Sequence, residues 1–301
     1  MKILAIGDTH MNTSAICNVA IPVAKKNGCE TIVQLGDFGF WIHEERGRRF
    51  LNKVSKCLVR EGITLYWIDG NHDNHPKLWA EYLPSGPDGF CMIKPNLYYV
   101  PRGTVWKFDQ VTCLGLGGAF SIDKEFRIQE ELIRAGLMRG RFDVHYTEVG
   151  IGSDFEHTMW WPTEMIRFED AELAKKNALE KGLVDIMFTH DCPTGVDVPG
   201  IHSDQKWQFP ETWQNRDLLR EVFDVVQPKL LVHGHYHVRY TGKLPLKPNV
   251  LGHLASCAYV GSEGDCDCGF GVWNYCRVDG LSNDGRDGFA VVLDLDEIFP
   301  A

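Results

Sequence analysis

The sequence lacks any long hydrophobic run. No stretch approaches the about 20 unbroken apolar residues of a membrane-spanning helix, so we predict no transmembrane segment. The first apolar run, Ile3–Ile6, ends at Gly7-Asp8 and is shorter than the roughly 7–15 residues of a secretory signal core, so we expect no signal peptide. Internal repeats and low-complexity linkers are also missing, which favours one domain over residues 1–301.

Basic residues are scarce relative to acidic ones. The chain has 31 Lys and Arg against 41 Asp and Glu, a formal net charge of −10. Non-specific nucleic-acid binding depends on Lys and Arg releasing counterions from phosphates, so we expect no long polynucleotide partner. A bound cation would reverse the charge locally and would let a small anionic substrate approach.

The ten cysteines do not form a standard metal-binding pattern. Most of them, such as Cys113, lie in apolar segments. In a large chain without an export signal this indicates reduced, buried thiols. Cys266, Cys268 and Cys276 lie closer together, but their spacing is not a usual zinc-ligand spacing, so we do not predict a structural metal there.

Apolar, strand-like runs alternate with amphipathic stretches at helical spacing. The runs Lys2–Ile6, Thr31–Leu35 and Ile63–Ile68 end in Gly-Asp or Asp-Gly-Asn sequences, and Leu183–Phe188 and Leu230–Val232 end in histidine-containing ones. This alternation predicts βαβ units and a largely parallel sheet, in which sites form beyond the carboxyl ends of strands. Any one of these loops could equally be an ordinary solvated turn rich in Gly, Asp and Asn.

The other segments are less regular. Short apolar runs between Tyr98 and Leu114 predict antiparallel hairpins. Pro22 sits inside an amphipathic stretch and is expected to kink it. Three further predictions are a helix over Glu164–Lys181, a long loop over Pro193–Trp213 and a last strand over Ala290–Leu295. We expect inserted loops near 128–162 and 257–289 and interpret the first as an excursion over the site.

Potential metal ligands cluster at the predicted strand ends. Seven side chains qualify: Asp8, His10, Asp37, Asn71, His190, His235 and His237. A mixture of carboxylate, amide and imidazole groups suits borderline ions such as Mn²⁺, Fe and Zn²⁺. Seven ligands are too many for one such ion, but they fit two ions roughly 3.5–4 Å apart that share a bridging carboxylate.

Five short motifs carry a resemblance to a known family. GDTH (7–10), LGDFG (35–39), GNHD (70–73), THD (189–191) and GHYH (234–237) resemble, in order and spacing, the motifs of the calcineurin-like metallophosphoesterases. The stretches GGAFSID, WWPTE and DIMFTHDCPTGV resemble a bacterial and phage subgroup. The resemblance covers about residues 1–256 and returns at the last strand. It implies an α/β fold, an αββα sandwich with a binuclear metal site at the strand C-terminal ends.

The resemblance also implies how the ligands are shared. The first metal ion would be held by Asp8, His10 and His237, and the second by Asn71, His190 and His235, with Asp37 bridging them. The protein Ser/Thr phosphatase branch carries an Arg in its second motif and a Glu after Gly-Asn-His. This chain has GDFGFW and GNHD instead, which argues against that branch.

Neighbouring residues receive supporting roles. The resemblance implies that His72 lies beside the phosphate and that Asp73 orients the His72 ring. Metal-bound imidazoles usually need a hydrogen-bond acceptor, and Asp191 is a candidate acceptor for His190. His233 precedes the fifth motif, and we expect it to pack within its strand.

These features predict a metal-dependent phosphodiesterase that acts on small nucleotides such as 2′,3′-cyclic nucleotides. Its cofactors would be two divalent ions, with Mn²⁺ favoured over Fe or Zn²⁺. The alternatives are a broad phosphomonoesterase and a non-catalytic scaffold that retains the metal site. For substrate binding we predict phosphate contact by Arg127 and base stacking by Trp160 and Trp161. We expect a location in the cytoplasm of a bacterium or a phage-infected host.

Overall fold

The fold is built from two six-stranded sheets. The computed structural model describes residues 1–40, 45–81, 88–138, 157–201, 209–246 and 275–300. Within these ranges, none of the helices is both long and apolar enough to cross a lipid bilayer.

The first sheet has a parallel centre with an antiparallel strand at each edge. Its strands are β1 (Lys2–Ile6), β2 (Thr31–Leu35), β3 (Thr64–Ile68), β4 (Cys91–Lys94), β5 (Leu97–Tyr99) and β12 (Ala290–Asp294). They lie in the order β12-β1-β2-β3-β5-β4. Neighbours from β1 to β5 pair in parallel, whereas β12 pairs antiparallel with β1 and β4 with β5.

The second sheet follows the same plan. Its strands are β6 (Thr104–Phe108), β7 (Val111–Leu116), β8 (Ile186–Thr189), β9 (Leu230–His233), β10 (Tyr240–Pro245) and β11 (Tyr275–Gly280). They lie in the order β10-β11-β9-β8-β7-β6, with parallel pairing from β7 to β11 and antiparallel β6 and β10 at the edges.

Helices complete the layers. A π-helical turn, Ala15–Ala20, leads into α1 (Ile21–Lys26), and the others are α2 (Glu45–Glu61), α3 (His75–Glu81), α4 (Lys124–Arg134), α5 (Phe168–Lys181), α6 (Pro210–Val226) and α7 (Leu295–Ile298). Apolar residues of α1, α2 and α3 pack on the first sheet, and those of α5 and α6 pack on the second. The result is the αββα sandwich that the motifs imply.

The central strands are buried on both faces. Ile3 and Ala5 of β1 pack between the two sheets, in one cluster with Phe188 of β8. Leu4 and Ile6 point the other way and pack beneath the helices of the first layer. This two-sided burial explains why the parallel strands are continuous apolar runs, because alternation is expected only where one face meets water.

The structure confirms the predicted central strands and changes several boundaries. The predicted helix from Glu164 begins at Phe168, because the Asp170 carboxylate in its first turn accepts the Arg167 backbone N–H at 3.1 Å. The predicted loop over Pro193–Trp213 ends earlier, since α6 starts with Pro210. Proline suits the first turn of a helix because its missing N–H would have no partner there.

Pro22 also lies in a first turn, at the start of α1. The preceding residues form a π-helical turn, so the irregularity that we expected around this proline is placed before it. The edge strands β4 and β10 and the inner strand β11 were not predicted. Of the cysteine group, Cys276 is buried in β11, and Cys266 and Cys268 lie outside the described residues.

Candidate metal centre

The predicted ligands converge where the parallel strands of both sheets end. Asp8, Asp37 and Asn71 follow three neighbouring strands of the first sheet, β1, β2 and β3. His190 follows β8, and His235 with His237 follows β9, the neighbouring strand of the second sheet. The two sheets therefore supply different types of ligand. The oxygen ligands come from the first sheet, and most of the imidazoles come from the second.

Three of these residues form a first ligand group around Asp8. The ligand atoms of Asp8, His10 and His237 lie within 4.8 Å of one another. His237 Nε2 is 2.9 Å from Asp8 Oδ2, and the backbone N–H of His235 donates to Asp8 Oδ1 at 3.1 Å. This is the set that the motifs assign to the first ion.

A second group surrounds His190. Its Nδ1–H donates to the Leu35 carbonyl oxygen at 2.7 Å, which fixes the tautomer and leaves the Nε2 lone pair facing the site. That Nε2 lies 3.0 Å from Asn71 Oδ1 and 3.3 Å from Asp37 Oδ1, and the His235 ring centroid is 5.0 Å from the His190 centroid. A lone pair facing two oxygen acceptors requires a cation or a proton between them, so this donor set fits a metal ion.

Asp37 lies between the two groups. Its Oδ2 is 3.4 Å from His10 Nε2 and its Oδ1 is 3.3 Å from His190 Nε2. The backbone N–H of His72 donates to Oδ1 at 2.7 Å and helps to hold the carboxylate in this orientation. Asp37 thus presents one carboxylate oxygen to each ligand group.

Backbone strain marks the same residues. His10, Asp37, His235 and His237 have φ angles of 43°, 51°, 68° and 56°, in the left-handed region that non-glycine residues rarely adopt. Such conformations cost on the order of 1–3 kcal/mol each and concentrate where function requires a particular side-chain direction. Four of the seven predicted ligands therefore lie in a strained backbone, which supports a functional site.

Two glycines let the loops approach closely. A Cβ atom on Gly36 would overlap the His190 imidazole, and one on Gly70 would overlap the Asp37 backbone and carboxylate. Gly36 also has a φ of 90°. The Gly-Asp and Gly-Asn pairs that mark these motifs in the sequence thus have a steric cause.

The electrostatics of the site favour cations. Burial works against charge on His190, yet the Asp37 and Asp8 carboxylates raise its pKa to about 10. In the same way Asp37 raises the pKa of His10 to about 9 despite burial. Burial opposes ionisation of Asp37 too, but His190 holds its pKa well below the usual range. The carboxylates create a region of negative electrostatic potential that protons or divalent ions would neutralise.

His72 lies beside the first group, with its ring centroid 5.6 Å from that of His10. Burial lowers the pKa of His72 to about 4, and the Arg127 guanidinium acts in the same direction. The ring is therefore neutral at neutral pH and can donate a hydrogen bond from its N–H.

Asp73 does not orient the His72 ring as expected. Its buried carboxylate accepts backbone N–H groups from Gly39 at 2.8 Å, Phe40 at 2.7 Å and Gly70 at 2.9 Å. These bonds join the loop after β2 to the loop after β3. Asp73 thus fixes the relative position of Asp37 and the Gly-Asn-His segment.

Asp191 also has partners other than the expected one. It accepts hydrogen bonds from Tyr236 Oη at 2.6 Å and Asn215 Nδ2 at 2.8 Å, while His190 uses the Leu35 carbonyl instead. Tyr236 lies between the two ligands of the fifth motif, so Asp191 ties that motif to the fourth. His233 packs as expected, with its Nε2 2.6 Å from Tyr240 Oη.

The three residues predicted to contact substrate differ in their exposure and in their contacts. Trp161 is 2% exposed and donates its indole N–H to the His157 carbonyl, so it offers no open ring face for a base. Trp160 is half-buried, and the Lys124 ammonium lies 4.7 Å from its ring centroid. Arg127 is 3% exposed and donates to the Asn71 carbonyl, which places it behind the ligand loop.

Sequence reasoning missed a buried guanidinium that supports the site. Arg102 donates to Asp69 Oδ2 at 2.7 and 2.8 Å, to Asp170 Oδ2 at 3.1 Å, and to the backbone carbonyls of 163, 164 and 165. Burial tends to raise the pKa of Asp69, yet Arg102 holds it well below its ordinary value. The signal available in the sequence was Asp69, directly before the third motif.

Replacing Arg102 by Met should destabilise the fold strongly. The substitution removes the guanidinium from two buried carboxylates and three carbonyl groups, and breaking a buried ion pair in this way costs about 3–5 kcal/mol. Urea unfolding would measure the loss. Arg60→Met is the matched control, because Arg60 pairs with Glu61 at the surface and its loss should change the stability little. Equal losses for the two variants would contradict the role given to Arg102.

Comparison with known proteins places the chain in a family. It matches the family model of the calcineurin-like phosphoesterases over residues 1–239 and therefore belongs to that family. The family uses divalent metals, and the ligand groups described above contain residues that could hold them.

Individual relatives are distant. Exonuclease subunit 1 of Enterobacteria phage T4 is 31% identical over 123 residues, covering 36% of this chain and 35% of that protein. Lariat debranching enzyme of Caenorhabditis elegans is 21% identical over 276 residues, covering 82% of this chain and 49% of that protein. The chain thus spans about a third and about half of these relatives' lengths. A solved structure, "GAP50 the anchor in the inner membrane complex of Plasmodium", is 10% identical with a TM-score of 0.42, over 80% of this chain and 67% of that one.

Proposed function

We propose that the protein is a binuclear phosphodiesterase that acts on small nucleotides such as 2′,3′-cyclic nucleotides. The observation that carries the proposal is the position of Asp37, which presents one oxygen to His10 and the other to His190. A carboxylate placed between two ligand groups is the arrangement that bridges a pair of divalent ions.

The residues present fit two ions. Asp8, His10 and His237 would hold the first, and Asn71, His190 and His235 the second, with Asp37 shared between them. Bound there, two ions would polarise the phosphoryl oxygens and lower the pKa of a water molecule to make it nucleophilic. Mixed oxygen and imidazole ligands suit Mn²⁺, and also Fe and Zn²⁺.

His72 would act on the leaving group of the ester. Its ring borders the first ligand group without belonging to the ion sets assigned above. From that position its N–H can donate to the leaving oxygen of the ester, and a negatively charged phosphate would favour the protonated ring. We therefore assign His72 to stabilising or protonating the leaving oxygen.

Two observations support a phosphodiester substrate, and a third supports a substrate of modest size. The motifs GDFGFW and GNHD lack the features of the protein phosphatase branch. One relative is an exonuclease subunit, and an exonuclease by definition cleaves phosphodiester bonds. A net charge of −10 leaves little basic surface for a long polynucleotide, whereas a cyclic diester carries one negative charge that two ions can neutralise.

A substrate panel tests the proposal. With Mn²⁺ present, kcat/KM should be higher for 2′,3′-cyclic AMP than for bis-p-nitrophenyl phosphate, and higher for both diesters than for nucleoside and p-nitrophenyl monoesters. Base stacking, on the order of 1–3 kcal/mol where it occurs, would produce the first difference. A metal chelator should abolish turnover of every substrate.

Two outcomes of the same substrate panel would contradict the proposed phosphodiesterase function. Higher kcat/KM for monoesters than for every diester would establish a broad phosphomonoesterase. Absence of turnover by protein that holds two ions per chain would leave a metal-binding scaffold. Trp160→Ala should reduce only the preference for the cyclic nucleotide and leave bis-p-nitrophenyl phosphate unaffected.

A further inference from the structure

The Asn71 amide must face one way to bind a metal ion. Its oxygen can ligate a cation, whereas its NH₂ group is a hydrogen-bond donor and cannot. Asn71 is 3% exposed, so protein groups rather than water decide which end points at His190. With Oδ1 3.0 Å from His190 Nε2, the amide has the orientation that a ligand needs.

Ser121 holds the other end of this amide. Asn71 Nδ2 donates to Ser121 Oγ at 2.9 Å, and Arg127 donates to the same oxygen at 2.5 Å. The Ser121 hydroxyl in turn donates to Glu164 Oε2 at 2.6 Å. One donor and two acceptor positions are the whole capacity of a hydroxyl group, so Ser121 has no alternative arrangement while these partners stay in place.

The direction of these bonds is set by Glu164. An ionised carboxylate only accepts hydrogen bonds, and this one also accepts the Ser121 backbone N–H at 2.9 Å and lies 3.6 Å from the Arg127 guanidinium. Ser121 must therefore donate to Glu164, which leaves its lone pairs for Asn71 and Arg127. Only the NH₂ end of Asn71 can face a lone pair, so the oxygen is directed into the site.

We propose that Glu164, acting through Ser121, is a positioning residue that keeps the Asn71 oxygen directed at the second metal ion. This inference rests on the proposed binuclear site, in which Asn71 is a ligand. Ser121 and Glu164 are 1% and 2% exposed and come from segments far apart in the chain, the loop after β7 and the segment before α5. Neither would touch the ion, and both would act on its affinity.

Glu164→Gln should reverse the direction of the Ser121 hydrogen bonds without changing the shape of the side chain at position 164. The Gln amide must place its NH₂ group against either the Ser121 backbone N–H or the Ser121 hydroxyl. A backbone N–H cannot accept a hydrogen bond, but a hydroxyl can rotate, so Ser121 would accept from Gln and donate to Asn71. The Asn71 amide would then turn its NH₂ group toward the second ion.

Mn²⁺ titration calorimetry on the full chain is the measurement. We expect wild type to bind two ions, and Glu164→Gln to bind one of them about 10–100-fold more weakly, the usual cost of losing a ligand's supporting partner. The affinity for the other ion should be unchanged. Glu131→Gln is the matched control, because Glu131 is equally buried but accepts the backbone N–H groups of 158 and 160. It should leave both affinities unchanged.

Ser121→Ala provides an independent variant and a double-mutant cycle. Ser121→Ala should also weaken the binding of only one of the two ions. Adding Glu164→Gln to it should have no further effect on affinity, because the influence of Glu164 passes through the Ser121 hydroxyl. The positioning role would be overturned if the affinities for both ions fell equally, if neither affinity fell, or if the two substitutions had additive effects on affinity in the double variant. Wild type that binds fewer than two ions would instead overturn the proposed binuclear function.

Discussion

Asp37→Asn should lose the metal centre and the activity together. The variant keeps the size of the side chain but removes the charge and one of the two oxygens that face His10 and His190. Elemental analysis should then find fewer than two ions per chain. We expect kcat to fall by at least about 10²–10³-fold, the effect of removing one preorganised electrostatic group.

The metal-free protein offers a second readout for Asp37. NMR titration should show a lower pKa for His10, which Asp37 raises to about 9 against the effect of burial. Asp284→Asn is the matched control, since its carboxylate lies 3.5 Å from His10 Nδ1 but outside the space between the ligand groups. The control should keep both ions. Two tightly held ions in Asp37→Asn would show that this residue is not the bridge.

His72→Ala should reduce turnover by about 10²–10⁴-fold, the usual contribution of a positioned proton donor, while both ions stay bound. The ring lies beside the ligand groups, and the His72 contact with Asp37 is made by its backbone N–H, which the substitution preserves. Steady-state kinetics and elemental analysis on the same preparation would separate the two effects.

The leaving group distinguishes the chemical role of His72 from a structural one. p-Nitrophenolate needs little protonation, so the loss should be much smaller for bis-p-nitrophenyl phosphate than for a nucleotide diester with a poor alkoxide leaving group. An equal loss for both substrates, or a loss of metal from the variant, would contradict the assignment.

The sequence predicted the parts of this molecule that repeat one local pattern. Strands such as β1 and β2 are apolar over most of their length, and each is followed by a glycine that lets the next residue turn into the site. Because the carboxyl ends of parallel strands share an edge, ligands as distant in sequence as Asp8 and His237 could be grouped from the amino-acid sequence alone.

Partner choice among buried polar groups could not be predicted in this way. Asp73 and Asp191 both follow a histidine, and a neighbour in sequence was the natural assignment for each. In the folded chain their carboxylates face backbone N–H groups and side chains of other loops, among them Gly39 and Tyr236. Which acceptor meets which donor depends on how loops pack, and no local pattern reports that.

Strand β10 and the burial of Trp161 were missed for a related reason. β10 carries Gly242 and Pro245 within six residues, which no strand pattern favours, and its pairing with β11 supplies the order that its own sequence does not. Trp161 was assigned to base stacking because of its residue type. The structure buries it instead, with its ring centroid 6.2 Å from that of His75.

The division of ligands between the two sheets has a consequence for how the protein is made. At roughly 5–20 residues per second, on the order of 10–50 s pass on the ribosome between the synthesis of Asp8 and that of His237. During that time the carboxylates of the first sheet exist without the imidazoles that complete their ion sites. In the proposed binuclear site, the complete ligand sets would therefore form only after both sheets have been made. The packing of the two sheets would meet the cost of bringing the buried negative charges together, and metal ions would stabilise the cluster only afterwards.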